Sequence, residues 1–347
     1  MASPMLKLLC GTLVALGLSS AAQAQEKVLN LYSARHYQTD EALYDNFTKQ
    51  TGIKINRIEA DDTKLLERLK NEGSNSPADV ILLVDAARLW RAQQDGMFQP
   101  VKSKILESRI PANLRATDEG KGAEWFSFST RARVIVYDKA SVKPEEVATY
   151  ESLADPKLKG KVCTRSGSHP YMLSLIGSLI ERNGEKATED WARGVVANFA
   201  RPPRGGDTDQ IRGVASGECG VALTNSYYYA RLMRSDKPED KEVVAKTGYI
   251  WPNQNTSGTH VNVSGGAVAK NAPNRDAAVK FLEYLASDQA QVYFANGNNE
   301  YPVVASAVAE NPALTSLGKF KSENMPISAI GKNQVPAQKI LDRVGYK

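Results

Sequence analysis

The run Tyr227, Tyr228 and Tyr229 is the feature of this sequence that most suggests a chemical role. A phenol titrates near 10 on its own, so a phenolate at neutral pH needs strong cationic stabilisation. Ferric iron supplies it, because Fe(III) is a hard acid that prefers anionic oxygen, and tyrosinate is an attested iron ligand. Successive helical positions diverge by about 100°, so two of the three phenols can face one ion. The competing interpretation is a packed helix, since most aromatic residues of α/β proteins are core residues.

Other tyrosines occupy similar positions along the chain. Tyr37 ends the segment LYSARHY after the first predicted strand, and Tyr171 ends the segment SHPY after a later one. The tyrosine run itself follows a predicted strand and the residues Asn225 and Ser226, which are favourable helix caps. Ligands of open α/β sheets bind at the carboxyl ends of strands. The sequence therefore predicts that phenols collect at one edge of a sheet.

Catalytic motifs give a rival interpretation. The three histidines, His36, His169 and His260, form no HExxH or similar paired metal spacing. The sequence also lacks a G-x-S-x-G elbow, a GxGxxG turn after a strand and a P-loop. An extracytoplasmic hydrolase would have to use the adjacent pair Ser168 and His169, and sequence neighbours seldom have the geometry of a catalytic triad. We expect a protein that is not an enzyme.

Strand-like and helix-like segments alternate along the chain and must position these side chains. The opening reads as strand 28–33, a helix from Thr39, strand 53–58, a helix near residue 62 and a buried strand 78–84. This βαβαβ order predicts a doubly wound α/β lobe. Later strands are predicted at 133–137, 161–164, 220–224 and 260–263, and later helices at 171–182, 207–216, 226–235 and 275–286. About 320 residues after any signal peptide exceed one core, so we expect two lobes, with the chain crossing twice between them.

The first 24 residues have the composition of a secretory signal peptide. Lys7 precedes an apolar stretch over 8–18, and small residues end in Ala22-Gln23-Ala24. Cleavage after Ala24 removes one cation, so the formal net charge falls from +5 to +4. A single cation favours Sec export over a twin-arginine route. We therefore expect an exported, soluble protein in the periplasm.

Charge and hydropathy argue against two other classes of partner. Both signs of charge are interspersed, whereas nucleic-acid binding needs a concentrated basic face. No later segment approaches the ~20 apolar residues needed to span a bilayer, so stable membrane insertion is not expected. Two cysteines remain after the signal peptide, Cys163 and Cys219, and export favours a disulfide over two buried thiols.

Several segments of the sequence resemble those of a known protein family. The segments NLYSARHYQTDEALY, SPADVILLVDAARLWRAQQDGMFQPV, KVCTRSGSHPYMLSLI, NSYYYARL and NGNNEYPV are similar to the ferric-iron-binding periplasmic proteins of bacterial ABC transporters, especially the cyanobacterial iron-carrier subgroup. The resemblance covers nearly the whole chain after residue 24. It implies a type II periplasmic-binding-protein fold with two α/β lobes, each an open mixed sheet flanked by helices, and a hinge. The implied lobes are 25–130 plus 256–302 and 131–255 plus 303–347.

The resemblance also implies a set of site residues. Carried over by motif, the metal ligands are Tyr37, Tyr171, Tyr227 and Tyr228, with His36 added in some members. Tyr229 is not carried over and is expected to pack. Arg35 is expected either to hold carbonate as a synergistic anion or to form a surface ion pair. Arg131 and Arg231 are expected to lie behind the ligands or the anion.

The function implied by the resemblance is capture of Fe(III) and delivery to an ABC transporter permease in the inner membrane, by a monomeric carrier. Alternatives with the same fold are binding of an oxyanion, thiamine or a polyamine. Oxyanion sites rely mainly on neutral donors and helix N-termini. Amine sites use aromatic boxes with carboxylates, and the clustered tyrosines have no obvious acidic partner in the sequence.

Overall fold

The computed structural model describes residues 27–35, 39–117, 119–308 and 310–347. The predicted signal peptide and the predicted ligands His36 and Tyr37 lie outside these residues. The strands are β1 Val28–Ser33, β2 Lys54–Glu59, β3 Val80–Leu83, β4 Phe126–Asp138, β5 Val162–Cys163, β6 Val221–Asn225, β7 Thr247–Ile250, β8 Val261–Val268 and β9 Tyr301–Pro302.

The helices complete the alternating pattern. They are α1 Asp40–Thr51, α2 Asp62–Glu72, α3 Ala86–Gln94, α4 Lys104–Arg109, α5 Pro170–Asn183, α6 Glu185–Ala197, α7 Asp207–Ala215, α8 Ser226–Met233, α9 Pro238–Lys246, α10 Arg275–Leu285, α11 Asp288–Asn298, α12 Pro312–Leu317, α13 Ser328–Lys332 and α14 Gln334–Val344. Short 3₁₀ helices occupy Gly73–Asn75, Ala112–Leu114, Pro144–Val147, Glu151–Ala154 and Pro156–Leu158. In the part of the chain that the structure describes, no helix is both long and apolar enough to cross a bilayer.

The opening segment folds as the predicted βαβαβ unit. Strand β1 pairs in parallel with β2 and with β3, which gives the local order β2-β1-β3. Every residue of β3 is buried, as its continuous apolar run predicts. Strand β8 then joins β3 in the antiparallel direction, so the sheet is mixed. The carboxyl ends of β1, β2 and β3 meet at one edge, where ligands of open α/β sheets bind.

Strand β4 connects the two halves of the fold. Its first part, from Phe126 to Ala132, pairs with β8, and its second part, from Arg133 to Tyr137, pairs with β6. Strand β5 lies parallel to β6, and β7 also pairs with β4. One apolar core surrounds β1, β3 and β8, and two further clusters surround β4, β5 and β6. The predicted two-lobed mixed α/β fold is confirmed. The sequence pattern found only the second part of β4, because buried Ser127, Ser129 and Arg131 interrupt its apolar run.

Hydrogen bonds near the middle of β4 join segments that are distant in the sequence. The Tyr150 hydroxyl donates to the carbonyl of Arg133 on β4 at 2.5 Å and accepts from the backbone N–H of His260 at 3.1 Å. The Arg133 N–H donates to the His260 carbonyl at 3.0 Å. The His260 ring pairs through Nδ1 with the buried carboxylate of Glu323, whose own N–H donates to the Thr259 carbonyl. These contacts connect β4, the start of β8 and the segment before α13.

The Glu323 carboxylate should therefore stabilise the fold in a pH-dependent way. Burial acts to raise the pKa of Glu323, but His260, Ser178 and Arg182 outweigh it and hold this pKa below its usual range. A carboxyl with a depressed folded-state pKa contributes stability above its unfolded pKa, and that stability is lost as the pH falls through the folded value. We expect Glu323→Gln to lower the free energy of unfolding by about 2 kcal/mol at neutral pH. The difference from the parent protein should shrink in acid.

Denaturant titrations at neutral and acidic pH would measure this difference. The exposed residue Glu239 provides a matched control, because Glu239→Gln makes the same chemical change at the surface. It should leave the unfolding free energy nearly unchanged. A loss for Glu323→Gln that stays constant from neutral to acidic pH would contradict the expected contribution.

Candidate metal centre

Helix α5 places Tyr171 at its second position. The chain leaves β5 at Cys163, turns, and enters the helix at Pro170, which is well suited to a first helical position. The preceding His169 caps the helix, because its Nδ1 accepts the backbone N–H of Tyr171 at 3.2 Å. The Tyr171 phenol therefore projects from the first turn, half-buried, close to the end of β5.

Helix α8 places the tyrosine run immediately after β6. Asn225 occupies the cap position, as predicted, but its side chain does not cap the helix. Its Oδ1 instead accepts from Arg133 Nη1 at 3.1 Å, and Ser226 Oγ accepts the backbone N–H of Ala132 at 3.3 Å. Both polar side chains thus fasten the start of the helix to β4. Tyr227 then occupies the second position of α8, as Tyr171 does in α5.

The two helices bring three of the predicted ligands together. Because β5 and β6 are parallel neighbours, α5 and α8 leave the sheet at the same edge. The hydroxyl oxygens of Tyr171 and Tyr227 lie 3.1 Å apart. The Tyr228 ring lies over the Tyr227 ring, with centroids 4.3 Å apart and planes tilted by 31°. Oxygen ligands about 2 Å from one ion, at right angles to each other, would be separated by about 3 Å. The phenols of Tyr171 and Tyr227 have that spacing.

Tyr229 faces away from this cluster. Its hydroxyl donates to the carbonyl of Thr247 at 3.0 Å, and its ring contacts Tyr249 at 5.3 Å between centroids. Burial raises the pKa of Tyr229, which disfavours a phenolate there. The prediction that the third tyrosine packs is confirmed.

Three arginines surround the Tyr171 ring. Their guanidinium carbons lie 5.1 Å from the ring centroid for Arg165, 5.9 Å for Arg131 and 6.0 Å for Arg133. Nearby positive charge favours the phenolate over the phenol. Arg131 was among the residues predicted from the sequence, whereas Arg133 and Arg165 were not. A signal for Arg133 was present, since a charged residue inside the predicted apolar strand 133–137 needs a buried partner.

Arg35 is buried, whereas one of its two predicted roles placed it in a surface ion pair. Only 2% of its side chain is exposed, so the predicted surface ion pair is wrong. Its Nε and Nη2 donate to Asp40 at 2.8 and 3.2 Å, and its Nη1 donates to Glu300 at 3.0 Å. An anion such as carbonate would have to compete with two carboxylates for these nitrogens. Glu300 lies 265 residues along the chain, so no local pattern indicated this pairing.

The other two predicted arginines lie beside the tyrosines. Arg131 is buried, and its Nη1 donates to Ser264 Oγ at 2.6 Å and lies 3.6 Å from Glu300. Arg231 is exposed, and its guanidinium carbon lies 5.5 Å from the Tyr228 ring centroid and 6.0 Å from that of Tyr227. Both positions allow positive charge to act on the phenols.

The pair required by the hydrolase alternative is engaged elsewhere. Ser168 Oγ pairs with Ser166 Oγ at 2.9 Å, and His169 Nδ1 is the acceptor that caps α5. Burial, with Arg165 and Arg133 nearby, lowers the pKa of His169 to about 3. The imidazole is therefore neutral at physiological pH and would be a weak general base. Its ring lies edge-on to Tyr171, with centroids 4.6 Å apart.

The predicted disulfide is present. Cys163 and Cys219 form a bridge with an S–S distance of 2.00 Å and a sequence separation of 56 residues. Cys163 ends β5, and Cys219 lies just before β6. The bridge thus ties together the two strands that lead into α5 and α8.

Comparisons with known proteins identify the family of this chain. The family model described as bacterial extracellular solute-binding protein matches residues 42–322. Iron uptake protein A1 of Synechocystis sp. is 52% identical over 323 residues, which cover 93% of this chain and 88% of that protein.

Two solved structures are also similar over most of the chain. A Trichodesmium protein (IdiA, FutA) in complex with iron and citrate ligands is 56% identical, with a TM-score of 0.87 and coverage of 92% of this chain and 100% of that one. The ferric binding protein from Campylobacter jejuni is 41% identical, with a TM-score of 0.85 and coverage of 92% and 100%. The chain therefore belongs to the family of bacterial extracellular solute-binding proteins, in the group of the Synechocystis iron uptake proteins.

Proposed function

We propose that this protein captures Fe(III) in the periplasm with tyrosine phenolates and delivers it to an ABC permease in the inner membrane. The observation that carries the proposal is the 3.1 Å separation between the hydroxyl oxygens of Tyr171 and Tyr227, with Tyr228 stacked beside them. The names of its relatives support the choice of metal, since they are an iron uptake protein and ferric-binding proteins.

The phenolates themselves favour a trivalent hard cation, because Fe(III) prefers anionic oxygen. Three phenolates would neutralise the charge of Fe(III), and the guanidinium groups of Arg131, Arg133 and Arg165 lie around the Tyr171 ring. Fe(II) carries less charge and gains less from anionic oxygen, so reduction should weaken binding. Because the ligands must be deprotonated, acid should weaken binding too.

Capture would proceed in two stages. Tyr171, Tyr227 and Tyr228 belong to the lobe proposed to comprise 131–255 and 303–347, and they would bind the ion first. Closure would then add Tyr37 from the lobe proposed to comprise 25–130 and 256–302, and would exclude water. Separate apolar cores on either side of β4 support two lobes, but Val303, Val304, Ile327 and Ile330 pack in the core of the first lobe, so part of 303–347 contacts that lobe. His36 as a further ligand and carbonate as an added anion stay predictions.

The visible spectrum of the purified protein tests the proposal. Titration with Fe(III) should produce an intense phenolate-to-iron absorption. The band should disappear on reduction in the presence of a ferrous chelator, and it should also disappear on acidification as the phenolates are protonated. A ferric complex without this band, or equal affinity for Fe(II) and Fe(III), would contradict the proposal.

Calorimetry separates the alternatives that share the fold. Phosphate, thiamine and spermidine should give no saturable heat with the iron-free protein. Tight binding of any one of them, together with no binding of Fe(III), would show that this ligand and not iron is the one the protein carries.

A further inference from the structure

We propose that Asp207 is the built-in anion of this site. Its carboxylate orders Arg133 and Arg165 behind Tyr171 and takes the place that a separately bound anion would otherwise fill there. The inference rests on the proposed function, because it concerns how the same site holds Fe(III). It makes Asp207 a positioning residue, since the carboxylate acts through the arginines and the start of α8.

The contacts of Asp207 are those of a bound oxyanion. The side chain is fully buried and begins α7, where the helix dipole favours negative charge. Its Oδ2 accepts from Arg133 Nη1 and from the backbone N–H of Asn225, both at 2.7 Å. Its Oδ1 accepts from Arg165 Nη1 at 3.5 Å. One carboxylate thus joins β4, the segment after β5, α7 and the residue that precedes α8.

These partners are the groups that support the candidate ligands. Arg133 and Arg165 are two of the three cations around the Tyr171 ring. Asn225 is the cap residue of α8, two positions before Tyr227. Movement of Asp207 would therefore affect the charge beside one ligand and the backbone that positions another. Charge-assisted hydrogen bonds of this kind are stronger than neutral ones.

The positive charges of Arg133 and Arg165 explain why a carboxylate is favourable at this position. Two guanidinium groups without Asp207 would place two positive charges near an incoming trivalent cation, and the carboxylate cancels one of them. Further buried donors also lie on these partners. Among the residues that the structure describes, Arg133 Nε, Arg165 Nε and Asn225 Nδ2 have no acceptor. If the carboxylate were removed, the remaining groups would form a receptor for a small external anion.

Chemical rescue of Asp207 variants provides the test. Fe(III) affinity and the visible band would be measured by chelator competition for the parent, Asp207→Asn and Asp207→Ala, each with and without formate. The parent should respond to formate by less than twofold. Both variants should lose about tenfold in affinity, the effect of one charged hydrogen bond. Formate should restore the affinity and the band position of Asp207→Ala, because it fits the space left by the carboxylate.

A second buried carboxylate gives the matched control. Asp79 lies just before β3, beside the apolar core that surrounds β1, β3 and β8. Its carboxylate accepts hydrogen bonds from the backbone N–H groups of Asn30 and Asn274 at 2.7 and 2.6 Å. Asp79→Asn should lower thermal stability yet leave iron affinity and the formate response unchanged. If Asp207→Ala does not fold, the isosteric variant Asp207→Asn tests the inference by itself. The inference then requires that its Fe(III) affinity be lower than that of the parent protein.

Two outcomes would overturn the inference. One is parental affinity in Asp207→Asn, and the other is a parent protein whose iron affinity rises with formate as much as that of Asp207→Ala. A parent protein that binds no Fe(III) under any of these conditions would instead refute the proposed function. The failures of the two proposals are therefore distinguishable.

Discussion

Replacement of Tyr171, Tyr227 and Tyr228 together by phenylalanine is expected to abolish Fe(III) binding and the visible band. Phenylalanine keeps each ring and removes only the oxygen, so the stacking of Tyr228 on Tyr227 can persist. Loss of a residue that merely supports a metal ligand costs about 10- to 100-fold in affinity. Removal of three direct ligands should therefore cost at least about a hundredfold. Chelator competition measures the affinity, and absorption on Fe(III) loading reports the phenolates.

Tyr229→Phe is the matched control, because it removes the same atom from the neighbouring position of the same helix. It removes the hydrogen bond that the hydroxyl donates to the Thr247 carbonyl and the one it accepts from Thr247 Oγ1, and should cost about 1 kcal/mol of stability. Iron affinity and colour should be retained. If the triple variant still binds iron like the parent, or if Tyr229→Phe alone loses it, the assignment of ligands is wrong. Addition of Tyr37→Phe tests the ligand predicted outside the described residues.

Removal of the disulfide should have the largest effect on stability and little effect on iron affinity. A bridge across 56 residues restricts the unfolded chain, and loop entropy of that size corresponds to about 4 kcal/mol. The double variant Cys163→Ser, Cys219→Ser should therefore unfold at a much lower guanidinium concentration. The parallel pairing of β5 with β6 still holds α5 and α8 in place, so the folded variant should keep its iron affinity within a few-fold.

Two measurements distinguish stabilisation by the bridge from a role in shaping the site. The first is guanidinium denaturation of the double variant and of the parent protein treated with a reductant, which should give the same loss. The second is Fe(III) affinity under conditions where the variant stays folded. A variant with unchanged stability and strongly reduced affinity would show that the bridge shapes the site and does not mainly stabilise the fold.

Short-range patterns in the sequence were sufficient for the elements and for part of the site. Helical and strand periodicity depends on neighbouring residues, so the βαβαβ opening, α5, α7 and α10 were predicted within about two residues of their observed ends. The turn of a helix separates adjacent side chains, so only two of three consecutive tyrosines could face one ion, and the family resemblance implied that Tyr229 is the one that packs. Two cysteines outside the predicted export signal were enough to predict their bridge.

The sequence by itself thus determined the fold class, the candidate phenols and the disulfide, whereas tertiary structure decided which charges surround them. Arg35 pairs with Glu300, and Asp207 lies between Arg133 and Arg165, across separations of 265, 74 and 42 residues. Such pairs depend on strand order and register, which follow from the packing of the whole chain. The burial of a charge likewise depends on the complete fold, so an arginine that resembles a surface residue in sequence can form a buried ion pair in the structure.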